Sequence, residues 1–346
     1  MLKIKKENLE NLYKSISENQ NLYIPCNMSG KVNYAVYGEG AKVDLDTLKT
    51  VKSAKEVFFP QCEDIVSFKR TGKAVEVIDI RKESEDFTVF GVRACDLKSF
   101  EILDRVFLSE PVDTFYQTKR EHGTIVTLAC NYPEESCFCH TFGIEAKEPK
   151  GDVSTWMCGE YLYWQANTEK GLKLTKTVES LFEKATAKDE KSVEAEKQEI
   201  EKRTEKLPLY DLTTEGWGKD AVLLDKFNSL LWQSLSEACL GCGACTFVCP
   251  TCQCYDVKDF DKGHGIQRYR CWDSCMYNDF TMMAHGTPRP TQMQRFRQRF
   301  MHKLVYYPNN NDGIFSCVGC GRCVEKCPIH MNITKVMKAF GGKKND

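Results

Sequence analysis

The chain of 346 residues carries 48 Lys and Arg against 49 Asp and Glu, for a formal net charge of −1, and 42% of it is hydrophobic. That length allows two modest domains with their own cores, and the balanced charge argues against a nucleic-acid binder, which shows a basic excess. No apolar run approaches a membrane span, and the opening "MLKIKKENLENLYKS" lacks the apolar stretch of a secretory signal, so a cytoplasmic location is expected.

Residues 1–180 read as a mixed α/β domain. "EVFFP", "AVEVIDI", "FTVFGV" and "TIVTLAC" are short β-branched or aromatic runs expected to be strands. "DLKSFEILDRVFL" spaces its apolar residues as a helix does. Residues 181–207 hold a Lys/Glu-rich run without aromatics after Phe182, which predicts a solvated helix or a linker between two domains. "DAVLLDKFNSLLWQSLSEAC" predicts an amphipathic helix leading into a second domain, 208–346.

Nineteen cysteines dominate this composition. The number is odd and the spacings are short, which favours metal ligands over disulfides and suits an anaerobic or reducing cell. Two arrays repeat the pattern C-x2-C-x2-C-x3-C-P: Cys239, Cys242, Cys245 and Cys249 with Pro250, then Cys317, Cys320, Cys323 and Cys327 with Pro328. In the two-cluster ferredoxin pattern the fourth cysteine ligates the other cluster. The expected sets for two [4Fe–4S] clusters are therefore Cys239, Cys242, Cys245 with Cys327, and Cys317, Cys320, Cys323 with Cys249. Zinc is the competing reading, since paired C-x2-C units also bind Zn²⁺, but it gains nothing from the third and fourth cysteines and trailing Pro. Roughly seventy residues separate the arrays, beyond ordinary loop lengths, so the insertion 250–316 is expected to fold on the ferredoxin core.

Further cysteines surround this motif. Cys252 and Cys254 follow the first array, Cys271 and Cys275 lie in the insertion, and together they suggest another cluster. Cys95, Cys130, Cys137 and Cys139 sit at strand ends and a following loop, where they can converge on a third. Buried, inert thiols are the alternative for each group. Cys26 and Cys62 read as structural and Cys158 is left undecided. His140 and His285 lie near cysteines, although a lone histidine is more often structural than a ligand. The basic stretch holding Arg289, Arg295, Arg297, Arg299 and Lys303 reads as a solvated helix face, or as balance of cluster charge or a docking surface. No nucleophile triad or dinucleotide fingerprint is present, and no residue is assigned a catalytic role.

"FGVRACDLKSFEILDRVFL", "CFCHTFG", "CPTCQCY", "PRPTQMQRFRQRF" and "CVGCGRCVEKCP" together resemble an iron–sulfur subunit family. It comprises the β subunit of cytosolic sulfhydrogenases and the A subunit of anaerobic sulfite reductase. The resemblance covers about residues 50–145 and 230–335, and it is the combination of these motifs that is specific. It implies a non-catalytic electron-transfer subunit between a flavin/NAD(P)H-binding subunit and a hydrogenase or sulfite reductase catalytic subunit. The cysteines matching the family are Cys95, Cys130, Cys137, Cys139, Cys252, Cys254 and Cys275 beside the eight array cysteines, while the position of Cys271 is often not Cys. The expected fold is α+β: a mixed N-terminal domain and a helical, ferredoxin-like two-cluster C-terminal domain with a long insertion. A redox-sensing regulator, or a subunit whose incomplete cluster binds substrate, are the alternative functions.

Overall fold

The computed structural model of the chain describes residues 1–81, 85–221 and 223–341. Positions 222 and 342–346 of the expected C-terminal domain lie outside the described residues. The strands in chain order are β1 (Leu2–Lys5), β2 (Asn21–Met28), β3 (Lys31–Val36), β4 (Cys62–Thr71), β5 (Ala74–Asp79) and β6 (Phe87–Val92). They continue as β7 (Gly123–Leu128), β8 (Val153–Cys158), β9 (Tyr161–Ala166), β10 (Glu183–Lys184), β11 (Tyr255–Asp261) and β12 (Gly265–Trp272). The helices used below are α1 (Leu9–Asn19), α2 (Lys55–Phe58), α3 (Ala94–Phe107), α4 (Thr114–His122) and α5 (Glu169–Val178). After them come α6 (Ala187–Glu205), α7 (Leu223–Asn228), α8 (Leu231–Ser236), α9 (Ala244–Phe247) and α10 (Gln292–Met301).

One sheet runs β10-β1-β9-β8-β7-β6-β2-β3. Its centre, β2, β6, β7 and β8, is parallel. Parallel strands are covered on both faces, which explains the unbroken apolar character of "FTVFGV" and "GTIVTL". Leu12, Tyr13 and Ile16 of α1 and Leu174 and Val178 of α5 pack in the core of one face. Phe100, Leu103 and Phe107 of α3 and Tyr116 of α4 belong to another. Because β6 and β7 are parallel neighbours, their C-terminal ends emerge side by side, carrying the chain to Cys95 and Cys130.

Three local expectations are refined. "EVFFP" is not a strand: α2 begins one residue earlier. Lys55, Phe58 and Phe59 fall at i, i+3 and i+4 and are all buried, so tertiary burial overrides β propensity. The charged run forms β10 and then α6, whose start is fixed by a Thr186–Asp189 capping box and whose Val193 and Ile200 are buried. The expected helix before Cys239 breaks into α7 and α8. Trp232 turns into the core against Phe296 and Phe300, and its Nε1–H donates to the Lys226 carbonyl at 2.6 Å.

The insertion does more than cover the ferredoxin core. Its hairpin β11–β12 pairs through β12 with β4, giving a second sheet of order β11-β12-β4-β5 to which both halves of the chain contribute. Among the described residues, no helix is long and apolar enough to cross a membrane.

Candidate metal centres

Each array folds as a loop turned by two left-handed glycines and closed by one turn of helix. Gly241 and Gly243 serve the first array, with φ of +66° and +72°. Gly319 and Gly321 serve the second, with φ of +57° and +78°. This conformation suits glycine, and the surroundings also leave no room for a side chain. A Cβ on Gly243 would lie 2.6 Å from the Tyr277 hydroxyl, and one on Gly319 would lie 2.3 Å from the Phe138 carbonyl oxygen.

The loops enclose two small cavities. Cys239, Cys242, Cys245 and Cys327 line one. Cys249, Cys317, Cys320 and Cys323 line the other. The fourth cysteine of each array thus faces the other array's first three, because the repeat is packed about its own midpoint. Helix α10 lies across both: Gln292 donates from Nε2 to Cys239 Sγ at 3.3 Å, and Arg299 lines both cavities.

A third cavity is lined by Cys95, Cys130, Cys137 and Cys139. Cys95 opens α3, Cys130 lies just past β7, and the other two sit on the following loop. That loop is docked on the second array: Phe138 N–H donates to the Gly319 carbonyl at 2.9 Å. Gly319 and Cys320 line the second and third cavities alike. Arg322 spans the same junction with two hydrogen bonds to Asp96, at 2.5 and 2.7 Å, both residues being buried.

Cys252 and Cys254 precede β11, and Cys275 follows β12. Pairing of Tyr255 with Trp272 closes the hairpin base and brings these flanks together. Asp273 N–H donates to the Cys254 carbonyl at 3.0 Å, and the Cys254 and Cys275 thiols are hydrogen-bonded neighbours. Cys252 is likewise bonded to Cys249, which places this group against the second cavity. Cys271 stands apart: within β12 it is paired with Cys62 on β4 and Asp256 on β11. Neither histidine lines a cysteine cavity. His140 stacks on Tyr210 with ring centroids 4.7 Å apart, and His285 is exposed. Cys26 and Cys158 lie in apolar cores.

The cysteine groups fit cubane clusters. Four thiolates reaching four separate irons must surround a volume and not converge on a point. Burial pushes the Cys130 and Cys320 thiols up to about 11 and Cys317 to about 12, so ligation there must displace protons. The hydrogen bond from Cys252 lowers Cys249 instead.

Residues 238–331 match the 4Fe-4S dicluster domain family. Sulfhydrogenase 2 subunit beta of Pyrococcus furiosus is 30% identical over 339 residues, covering 97% of this chain and 97% of that protein. The chain belongs to the sulfhydrogenase beta-subunit family. No solved structure matches it.

In this family member the sequence reading missed several residues that shape the centres. Lys55 is buried and donates to the Cys249 and Cys252 carbonyls at 3.1 and 2.9 Å, with its ammonium 3.6 Å from the Trp272 ring centroid. Asp96 and Arg322 gave no signal beyond lying beside cysteines. Within the basic stretch, Arg299 and Lys303 are buried while Arg289, Arg295 and Arg297 are not, which separates a cavity-facing side from an outer one. Residues 292, 299 and 303 recur at i, i+7 and i+11, the only sequence signal for this face.

Proposed function

We propose that the chain relays electrons between a flavin/NAD(P)H-binding subunit and a hydrogenase catalytic subunit of a cytoplasmic oxidoreductase complex. The observation that carries this reading is a row of three cysteine-lined cavities in which each neighbouring pair shares lining residues. Arg299 joins the first to the second, and Gly319 and Cys320 join the second to the third. [4Fe–4S] clusters, when bound, supply one-electron transfer; the protein contributes ligation, spacing and tuning.

Cys239, Cys242, Cys245 and Cys327 would ligate at the first position. Cys249, Cys317, Cys320 and Cys323 would do so at the second, and Cys95, Cys130, Cys137 and Cys139 at the third. Cys252, Cys254 and Cys275 would serve a fourth beside the second. The packed loops keep water from the second and third positions, where Cys320, Cys130 and Cys137 are buried. The first is open: Cys242 is exposed and Leu240 is 67% exposed. A partner subunit would exchange electrons there. The similarity to a protein named as a sulfhydrogenase subunit favours a hydrogenase over a sulfite reductase as that partner.

A second reading concerns the three-cysteine group. With Cys271 directed toward Cys62, an incomplete ligand set at Cys252, Cys254 and Cys275 would leave a coordination position for a small substrate. The test of both is anaerobic purification of the complex from its native host. Flavoprotein and hydrogenase subunits should co-purify, with about twelve irons and sulfides per chain, or about sixteen if the fourth position is filled. A value near eight would remove the third position, and a zinc-only, solitary chain would refute the relay.

A further inference from the structure

Two buried arginines lie between the cysteine cavities, and their surroundings differ. Arg322, between the second and third, is neutralised by Asp96. Arg299, between the first and second, is 3% exposed and forms no ion pair with a carboxylate among the described residues. Its titratable neighbours are the thiols of Cys245 from one cavity, Cys323 and Cys249 from the other and Cys252 from the adjoining group, together with the Lys303 ammonium. Its Nε–H is buried and has no hydrogen-bond partner among the described residues, although its guanidinium carbon lies 4.4 Å from the Phe300 ring centroid. Native proteins rarely leave a buried donor unsatisfied. A guanidinium also stays charged under all ordinary conditions, so this residue brings a permanent cation and a spare donor to the wall between two cavities.

We propose that Arg299 tunes both array clusters together: its Nε–H donates to a cluster sulfur, and its charge, paired with no carboxylate, makes both of them easier to reduce. The inference rests on the cluster assignment proposed above. Reduction adds one negative charge to a thiolate-ligated cluster, and a fixed cation in a low-dielectric wall favours that form. Hydrogen bonds to cluster sulfurs shift the potential as well. At the third cavity the charge of Arg322 is offset by Asp96 and Lys49 is paired with Glu134 and Glu325, while Arg93, bonded to the Ala129 and Leu45 carbonyls, gives that cavity a cation of its own that does not depend on Arg299. Lys303 lines the second cavity and not the first, and its charge also acts on Cys252, Cys254 and Cys275. Arg299 is therefore a positioning residue whose signature is a joint shift of two clusters and no shift of the third.

The test uses the full chain, purified anaerobically, with iron and sulfide measured first. Potentials are then read by dithionite titration followed by electron paramagnetic resonance and film voltammetry. Arg299→Gln should lower the one-electron reduction equilibrium constant of both array clusters about tenfold, equivalent to about 59 mV, and leave the third cluster unchanged. Arg299→Lys, which keeps the charge, should recover most of the shift. The proposal is overturned if Arg299→Gln retains native iron and both array clusters stay within about threefold of the native constants, on the same conversion. An equal shift of all three would overturn it too. If Arg299→Gln loses iron, native protein carrying 15N-arginine decides the matter. A nitrogen coupling at the reduced array clusters that disappears in Arg299→Lys supports the proposal, and its absence from native protein overturns it. A native chain lacking the array clusters would instead overturn the assignment beneath the proposal.

Discussion

Gly319→Ala probes the junction between the second and third cavities. The residue has φ of +57°, and an added Cβ would lie 2.3 Å from the Phe138 oxygen, 2.5 Å from its carbonyl carbon and 2.6 Å from the Cys139 nitrogen. All three are backbone atoms, so no side chain can swing aside. The left-handed conformation costs a non-glycine residue about 1–2 kcal/mol, and forced overpacking costs about 1–3 kcal/mol. Their sum, about 2–5 kcal/mol, is enough to move the Cys137–Cys139 loop off the second array. The expected result is loss of about four irons, one cluster's worth, with a changed spectrum for the cluster of the second array. Gly143→Ala is the control, since Gly143 has φ of +69° and nothing within 4 Å of its Cβ position. It carries the conformational cost without the collision and should keep its iron. Equal iron content and equal thermal destabilisation in the two variants would show that the backbone contact does not hold the third site together.

Cys249→Ala should perturb the spectrum and potential of the cluster served by Cys317, Cys320 and Cys323, whose cavity it lines; a change confined to the Cys239–Cys245 cluster in electron paramagnetic resonance would contradict the crossed arrangement. Replacing Cys252 and Cys254 together by Ser should remove about four irons and depress electron transfer in the assembled complex, whereas Cys271→Ser should leave both unchanged, because Cys271 pairs with Cys62. Burial, followed by the charges of Lys303 and Arg289, holds the His302 imidazole down at about 4 against an ordinary 6.5. The unfolded chain therefore binds this proton first, and stability falls as pH drops from about 6.5 toward about 4. The anaerobic melting temperature of His302→Gln should decline less than that of the native chain between about pH 7 and pH 5, the upper part of that window; parallel declines would show that His302 does not contribute.

What could be read from the sequence follows the range of the interactions. The two arrays are local patterns, and their eight cysteines line the two cavities in the sets that the spacing predicts. Cys95 and Cys130 were legible because strand ends of a parallel sheet gather at one edge. Cys271 misled because grouping along the chain ignores strand alternation: one residue before Trp272, it points to the opposite face of the hairpin. Lys55 was hidden inside an aromatic run that read as a strand, and its acceptors lie 194 and 197 residues away. Arg322 and Asp96 are 226 residues apart. No window of sequence contains both partners of such contacts, so the charges around the cavities had to come from the fold.

The long insertion now has a physical reason. A bare two-array loop pair would leave the flanks of Cys249 with buried carbonyls and thiols facing no partner, a costly arrangement. The hairpin β11–β12 answers this from one side. It is anchored on β4, places Trp272 beneath the Lys55 ammonium, and lets that ammonium satisfy the carbonyls of Cys249 and Cys252. Helix α10 and the turn after it answer from the other, where Lys303 donates to Thr251 Oγ1 at 2.8 Å and to the Ser316 carbonyl at 3.1 Å. The same fold that draws Cys252, Cys254 and Cys275 together therefore also supplies the cations that such a concentration of thiolates needs. One clamp performs both tasks because the cysteines and the cations meet at the same place: removing the hairpin would part Cys252 and Cys254 from Cys275 and take away the Trp272 seat of Lys55 together.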